Sequence, residues 1–186
     1  MITIYTYNGN VVKDSTTGKW FTKPSGPGPG PSIEEVTIGT QTWMAKNLAI
    51  DDGGEGIAII NNNYYYDRAA ARRVAETVEG WHLPTADEVW TLFDNISGNA
   101  FNSLASTNSW TYGGGTNSSG FNALALGYIP SNSDTLEGEG IEARFWPYTK
   151  QLKFYHGDSG DGYVDLESTP SGSSAHKYSV RLIKDA

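Results

Sequence analysis

The chain has 186 residues, with 13 lysine and arginine residues against 21 aspartate and glutamate residues, for a formal net charge of −8. A nucleic-acid partner requires a basic surface, so this balance argues against one. The absence of cysteine excludes disulfides, cysteine–zinc sites and thiol nucleophiles.

The first segment, residues 1–23, has the alternation of a short β segment. Ile2 and Ile4 would share one face of a strand, and the Asn8-Gly9 pair favours a hairpin turn. The start is typical of a strand and not of an export signal, so a location outside the cell would need another route, such as assembly into a phage particle. The segment is too small to fold well alone, and we expect it to support a homo-oligomer or a larger assembly.

Residues 24–32 form a predicted linker, because repeated proline and glycine do not build a packed core. The main domain, residues 33–186, opens with two extended stretches around Gly39, and Trp43 of the second is expected in the core. The chain contains no apolar run of bilayer-spanning length, so we expect no membrane insertion.

Two helices are predicted next. The first has apolar residues at helical spacing and is expected to end at Gly80. These residues are Ala71, Val74, Ala75 and Val78. The second is expected to begin at Thr85, because Glu88 stands three residues later and can complete a capping box.

The rest of the chain favours loops and strands. Residues 99–120 are rich in Asn, Ser, Thr and Gly and predict a loop, and a strand is predicted for 121–128. Four further strands are predicted at 143–148, 151–155, 162–166 and 178–183. Strands followed by two helices and then by more strands indicate an α+β fold with a mainly antiparallel sheet.

Several blocks of this sequence resemble one known family. They are VTIGTQTWMAKNL at 36–48, GWHLPTADEVWTL at 80–92, FNALALGYI at 121–129 and YSVRLIKD at 178–185. In this order they resemble the Fibrobacter succinogenes major paralogous domain, over residues 33–186. The resemblance implies a C-type-lectin-like fold with two helices, on which function is set by the intervening loops.

The chain departs from that family late in the sequence. Family members usually carry a tryptophan- and serine-rich strand of the form YWWSST, where this chain has ARFWPYTK at 143–150. The departure falls where C-type lectin folds bind ligands. Diversity-generating retroelements mutate such C-terminal surfaces in phage receptor-binding proteins, so the resemblance also implies a diversified surface as a hypothesis.

The late segment is the predicted binding site, because it mixes large rings with polar tips, and Tyr, Trp and Arg dominate binding hot spots. We predict non-catalytic recognition of a cell-surface protein or a glycan. The candidate ligand-binding residues are Arg144, Trp146, Tyr148, Lys150, Tyr155, His156, Asp158, Asp161 and Tyr163. Only about half of the strand residues can face one ligand, and the others would pack in the core or pair across strands.

No cofactor is expected, and calcium is kept as an alternative. Asp158, Asp161, Asp165 and Glu167 place several oxygen ligands near turn glycines. Their spacing differs from that of an EF-hand loop, and the EPN and WND motifs of calcium-dependent lectins are absent. The pattern favours a tight polar turn over a calcium site.

His82 is the residue of these blocks to be weighed as catalytic. It precedes a capped helix, and we expect its ring to bond backbone carbonyls. Arg181 is expected to be structural, in a strand with a carboxylate or carbonyl partner. No triad-like spacing accompanies them, so the protein is not expected to be an enzyme. Two other functions stay open: a structural or assembly module of a phage tail or surface appendage, and a glycan-acting hydrolase that uses unassigned carboxylates. The expected location is extracellular, on a virion or at the cell surface.

Overall fold

The computed structural model describes residues 4–7, 11–14, 20–22, 33–169 and 175–185. The chain divides into two compact units, Met1–Ser32 and Ile33–Ala186. The predicted turn at Asn8-Gly9 and the predicted linker at 24–32 lie outside the described residues.

The N-terminal unit contains three short strands: β1 (Ile4–Tyr7), β2 (Val11–Asp14) and β3 (Trp20–Thr22). Strand β2 pairs antiparallel with both neighbours, so that Tyr7 lies opposite Val11 and Val12 lies opposite Phe21. The chain therefore begins with a β unit, as its alternation predicts.

The main unit, over its described residues 33–169 and 175–185, contains three helices and eleven strands. The helices are α1 (Arg68–Ala75), α2 (Ala86–Asp94) and α3 (Ala100–Leu104). The strands are β4 (Glu35–Ile38), β5 (Gln41–Met44), β6 (Ile57–Ile60), β7 (Asn63–Tyr66), β8 (Trp81–His82), β9 (Leu126–Tyr128), β10 (Glu137–Glu139), β11 (Glu142–Phe145), β12 (Gln151–Tyr155), β13 (Tyr163–Glu167) and β14 (Ile183–Lys184).

These strands form a five-stranded sheet in the order β10-β9-β11-β12-β13, a four-stranded sheet in the order β4-β5-β14-β8, and the pair β6-β7. Among the named strands, only β9 and β11 run parallel to each other. The predicted α+β class with a mainly antiparallel sheet is confirmed. No helix of the described residues is both long and apolar enough to cross a membrane.

Both predicted helices form. The predicted start of the second helix agrees with the structure, and the predicted end of the first does not. The start of α2 is confirmed, because the Thr85 hydroxyl accepts the Glu88 amide at 3.3 Å and the Glu88 carboxylate accepts the Thr85 amide at 2.7 Å. Helix α1 ends at Ala75 and not at Gly80, because Thr77 and Val78 donate to carbonyls three residues back.

The third helix corrects the prediction of a loop at 99–120. The Asn99 side chain accepts the Asn102 amide at 3.0 Å and caps α3. Phe101 and Leu104, three residues apart, bury one face of this single turn. Two apolar residues among many Asn and Ser residues are too few to indicate a helix from the sequence.

The core consists of two clusters. One lies beneath the five-stranded sheet, where Phe145, Leu152 and Phe154 pack with residues of α2 and α3. The other surrounds α1 and includes Trp81 and Trp146. Alternate residues of β11 and β12 therefore face the first cluster, and the others form the outer face of the sheet.

Arg181 is a buried structural residue that precedes β14, and it is 2% exposed. Its guanidinium donates to Asn47 Oδ1 at 2.7 Å, to the Met44 carbonyl at 3.2 Å and to the Asn122 carbonyl at 3.1 Å, and also to the Phe121 carbonyl. These carbonyls meet the expectation of a carbonyl partner. Burial lowers the pKa of Arg181 to about 9, so the side chain stays charged at neutral pH.

Candidate ligand-binding surfaces

The outer face of the five-stranded sheet carries a pair of tyrosines beside a lysine. Tyr155 on β12 lies opposite Tyr163 on β13, and their ring centroids are 5.5 Å apart. The Lys153 ammonium lies 5.5 Å from the Tyr155 ring and 6.0 Å from the Tyr163 ring. Tyr163 is 44% exposed, and Tyr155 is half-buried. We call these three residues the tyrosine patch.

The loop after β12 connects the tyrosine patch to the polar stretch at 99–120. His156 Nδ1 lies 2.6 Å from the Gly113 carbonyl, and its ring packs edge-on against Phe101 at 5.2 Å. Asp158 and Asp161 are exposed in the same loop. The predicted residues from Tyr155 to Tyr163 therefore gather at one end of β12.

Arg144 supports the outer face and is largely engaged there. Its guanidinium lies 2.7 Å from the Glu142 carboxylate and 3.7 Å from the centre of the Tyr128 ring. Burial opposes its charge, but the Tyr178 hydroxyl and the Glu142 carboxylate outweigh burial and raise the pKa of Arg144. The Arg144 side chain is 14% exposed, so it stiffens the face more than it offers a free contact.

Trp146 corrects the predicted site, because it is 1% exposed and belongs to the core. Its indole Nε1 donates to the Tyr66 carbonyl at 2.7 Å, and its ring stacks on Tyr178 with centroids 4.1 Å apart. The Arg68 guanidinium covers the ring at 4.4 Å. A ligand therefore cannot reach Trp146 without disrupting the fold.

Tyr148 and Lys150 lie away from the tyrosine patch. They belong to the turn between β11 and β12, at the end of β12 opposite to Tyr155. Four residue steps along β12 place these ends about 13 Å apart. Tyr148 is 50% exposed, and Lys150 is half-buried. The predicted set is thus divided between two surfaces.

The second surface is a pocket of about 320 Å³, which we call the Trp81 pocket. It is lined by Arg72, Ala75, Glu76, Trp81, His82, Leu83, Thr85 and Tyr148. The Arg72 guanidinium covers the Tyr148 ring at 4.4 Å and donates to the Tyr148 carbonyl at 2.8 Å. The volume of the Trp81 pocket falls in the range of small-molecule sites.

His82, on the wall of the Trp81 pocket, bonds two carboxylates and not the expected backbone carbonyls. Its Nδ1 lies 2.6 Å from Asp185 Oδ1, and its Nε2 lies 2.9 Å from Glu88 Oε1. Strand β8 pairs with β14 and so brings Asp185 to the ring, a partner that the local sequence does not indicate. With both nitrogens engaged, His82 ties α2 to the end of the chain.

The protonation of this histidine should make stability depend on pH. Burial lowers the pKa of His82, but hydrogen bonds to Asp185 and Glu88 outweigh burial and raise it above 6.5. Burial raises the pKa of Glu88, but hydrogen bonds from Thr85 and His82 prevail and lower it below 4.5. The contribution of protonated His82 to the free energy of unfolding is fully present below pH 6.5 and is lost as pH rises through the raised pKa of His82. The contribution of ionised Glu88 is fully present above pH 4.5 and is lost as pH falls through the lowered pKa of Glu88.

We therefore expect His82→Gln to cost most between about pH 4.5 and 6.5. The cost should stay below about 1 kcal/mol, because the His82 side chain is 37% exposed. Urea denaturation of both proteins across a pH series measures it. A cost that is the same at pH 5 and at about pH 9 would contradict the assignment.

The acidic turn before and within β13 does not assemble a metal cage in the residues described. Among residues 33–169 and 175–185, no three His, Asp or Glu side chains are placed to hold a metal ion. Asp165 Oδ1 accepts the Leu166 amide at 2.7 Å, and Glu167 Oε2 accepts from Gln151 at 2.7 Å. These oxygens already have partners within the protein.

We predict that calcium does not stabilise the fold. A ligand that binds only the folded state raises the melting temperature. Without a calcium site, the melting temperature should therefore be the same, within about 1 °C, with added calcium and with a chelator. Differential scanning calorimetry measures this. A rise with calcium that Asp158→Asn and Asp161→Asn remove would restore the calcium alternative.

Sequence reasoning missed Lys153 and Arg72 as site residues. Lys153 stands two residues before Tyr155, and strand alternation alone places both on the same face. Arg72 carries no such local signal. It meets Tyr148 only because α1 packs beside the turn after β11, and these residues lie far apart in the sequence.

A family model described as the Fibrobacter succinogenes major domain matches residues 36–184. This match confirms the resemblance that the sequence blocks indicate. It spans the range from β4 to β14 and so contains both the tyrosine patch and the Trp81 pocket. No curated protein and no solved structure matches the chain at a significant level.

Proposed function

The chain belongs to the Fibrobacter succinogenes major domain family, and from that premise we propose that it is a non-catalytic recognition protein. Its ligand would be a cell-surface protein or glycan, bound at the tyrosine patch. The observation that carries this function is a pair of tyrosine rings 5.5 Å apart, one exposed and one half-buried, beside the Lys153 ammonium.

The chemistry of the patch suits recognition. A tyrosine ring buries a large apolar area at small cost in conformational entropy, and its hydroxyl can still form hydrogen bonds. The Lys153 ammonium lies 3.9 Å from Glu142 and its side chain is 17% exposed, so the exposed charges at the rim are those of Asp158 and Asp161. Such a surface can stack on a sugar face or fill the centre of a protein interface.

A series of polar contacts along the same face of the sheet favours a preorganised site. Glu142 bonds Arg144, Arg144 contacts the Tyr178 hydroxyl at 3.5 Å, and Tyr178 donates to Gln151 at 2.8 Å. Gln151 in turn donates to Glu167 at 2.7 Å. These contacts cross three strands and run toward the end of β12 away from the tyrosine patch. At the patch itself, Glu142 lies opposite Tyr155 and 3.9 Å from the Lys153 ammonium. Together they hold the strands of this face in one arrangement, which lowers the cost of binding.

The fold and the diversification that the family resemblance implies fit the same function. A C-type-lectin-like fold would present the β12–β13 loop as a variable, ligand-facing segment. The protein would then be an adhesin or a receptor-binding protein of a cell surface or virion, and retroelement diversification would act on this loop. A neighbouring reverse transcriptase gene with a near-repeat of the 3′ coding end would support that history, and tail genes would support a phage particle.

The separate N-terminal unit favours a second function as an assembly module. Its three strands form a sheet of their own, and a sheet this small gains stability from pairing or packing with another element. Docking to a larger particle would use this unit, whereas recognition would use the tyrosine patch of the main unit. The two functions are therefore compatible within one chain.

Binding of labelled protein to a glycan array and to a panel of bacterial cells tests the recognition function. We expect saturable binding to some surfaces. Loss after periodate treatment would identify a glycan, and loss after protease treatment a protein. Release of free sugar from the array would instead support the hydrolase alternative, and binding to none of these surfaces would contradict recognition.

A further inference from the structure

The Trp81 pocket lies beside two arginines without carboxylate partners. Arg68 and Arg72 stand one turn apart on α1, and both donate to the Tyr148 carbonyl, at 3.5 and 2.8 Å. Arg68 also donates to the Thr169 hydroxyl. In the described part of the chain, neither guanidinium forms an ion pair. Two uncompensated cations in a chain of net charge −8 make a local anion-attracting site.

Arg72 also has an unused donor. Its Nε–H is buried and has no hydrogen-bond partner among the described residues. A buried donor without an acceptor destabilises a fold, and such exceptions call for an explanation. Because this nitrogen is closed to solvent, a ligand in the open pocket would meet the terminal nitrogens of the Arg72 guanidinium, whose planar shape matches a carboxylate better than a point charge does.

The walls of the pocket define the rest of the ligand. Ala75, Trp81, Leu83 and Tyr148 make most of its surface apolar. The few polar groups could not satisfy the many hydroxyls of a sugar, so the body of the ligand should be apolar or aromatic.

Two further charged groups face the pocket. Glu76 is exposed on one wall and would repel an anion. His82 adds positive charge when protonated, but Glu88 and Asp185 offset it. The positive charge of Arg72 therefore determines that the preferred ligand is an anion.

We propose that the Trp81 pocket binds a small amphipathic carboxylate, with its apolar body against Trp81 and Tyr148 and its carboxylate on Arg72. The pocket lies at the end of β12 away from the tyrosine patch, so this binding is independent of the proposed recognition function. The ligand would be a free organic acid of a size that about 320 Å³ can hold.

The probes are hydrocinnamate and its uncharged isostere hydrocinnamamide, titrated into the full chain and followed by NMR of backbone amides and tryptophan indoles. For about eleven non-hydrogen atoms we expect a Kd on the order of 1 mM for the carboxylate. Loss of its charge should weaken binding about tenfold, because the Arg72 guanidinium would lose a charge-assisted hydrogen bond to an anion. The Trp81 indole and the Tyr148 amide should shift most.

Arg72→Gln should remove the preference for the carboxylate over the amide. Arg73→Gln is the matched control, because Arg73 is the next residue of α1, pairs with Asp52 at 2.7 Å and does not line the pocket. It should keep the preference. Equal binding of both probes, shifts confined to other surfaces, or a preference that survives Arg72→Gln would each overturn the inference, as would no shift at about ten times the expected Kd.

A second variant decides the matter if Arg72→Gln fails to fold. Glu76→Gln removes the repulsive charge from an exposed position, so it should tighten carboxylate binding about two- to threefold and leave amide binding unchanged. The same change for both probes, or no change for the carboxylate, would contradict the proposed orientation.

Discussion

Replacing Trp146 with alanine should lower the free energy of unfolding by about 3–5 kcal/mol, the range for a large aromatic ring lost from a packed core. Trp146 is 1% exposed and stacks on Tyr178 at 4.1 Å. The change would also remove the indole hydrogen bond to the Tyr66 carbonyl, which would keep only the Tyr178 amide as a donor. The cost therefore combines a cavity with the loss of one buried hydrogen bond.

Trp90→Ala is the matched control, because Trp90 is 47% exposed on α2. Its removal should cost less than about 1 kcal/mol, in line with exposed positions. Urea denaturation of the three proteins gives both values. A Trp146→Ala cost as small as that of Trp90→Ala would mean that the ring is not in the core.

Local signals in the sequence were sufficient for part of the fold. The start of α2 follows from Thr85 and Glu88, three residues apart, because a capping box needs no distant partner. The order of strands and helices likewise predicts the α+β class. These features depend on residues that are close in the sequence.

Trp146 shows why the site was harder to predict. Strand alternation places it on the same face as Arg144, the outer one. The strand instead ends at Phe145, and the Trp146 ring enters the cluster around α1, where Tyr178 covers it. That partner lies on a distant part of the chain, so no local pattern reveals it.

The same limit applies to His82. Its position before a helix suggests backbone partners, but pairing of β8 with β14 brings Asp185 to one nitrogen. Only Glu88, six residues away, was within local reach. Tyr155 and Tyr163, by contrast, belong to neighbouring strands joined by a short loop, and the sequence did single them out.

Replacing Tyr155 and Tyr163 together with alanine should weaken binding of a ligand found on the array or cell panel by about a hundredfold or more. Truncation of one hot-spot residue costs about 2 kcal/mol or more, and the two rings form one contact surface. Stability should change little by comparison, because Tyr163 is 44% exposed and Tyr155 is half-buried. A melting curve checks that the double variant folds.

Tyr148→Ala is the control for this loss, because Tyr148 is 50% exposed but lies at the other end of β12. Its removal should leave affinity for the same ligand within about twofold, as expected for a residue outside the interface. A loss as large as that of the double variant would instead place the interface at the turn after β11.

The most direct test of recognition at the tyrosine patch is the affinity of the wild-type protein, the double variant and Tyr148→Ala for one captured ligand, measured by surface plasmon resonance. The expected result is a loss of about a hundredfold or more for Tyr155→Ala with Tyr163→Ala and little change for Tyr148→Ala. Wild-type affinity in a folded double variant would contradict the proposed site.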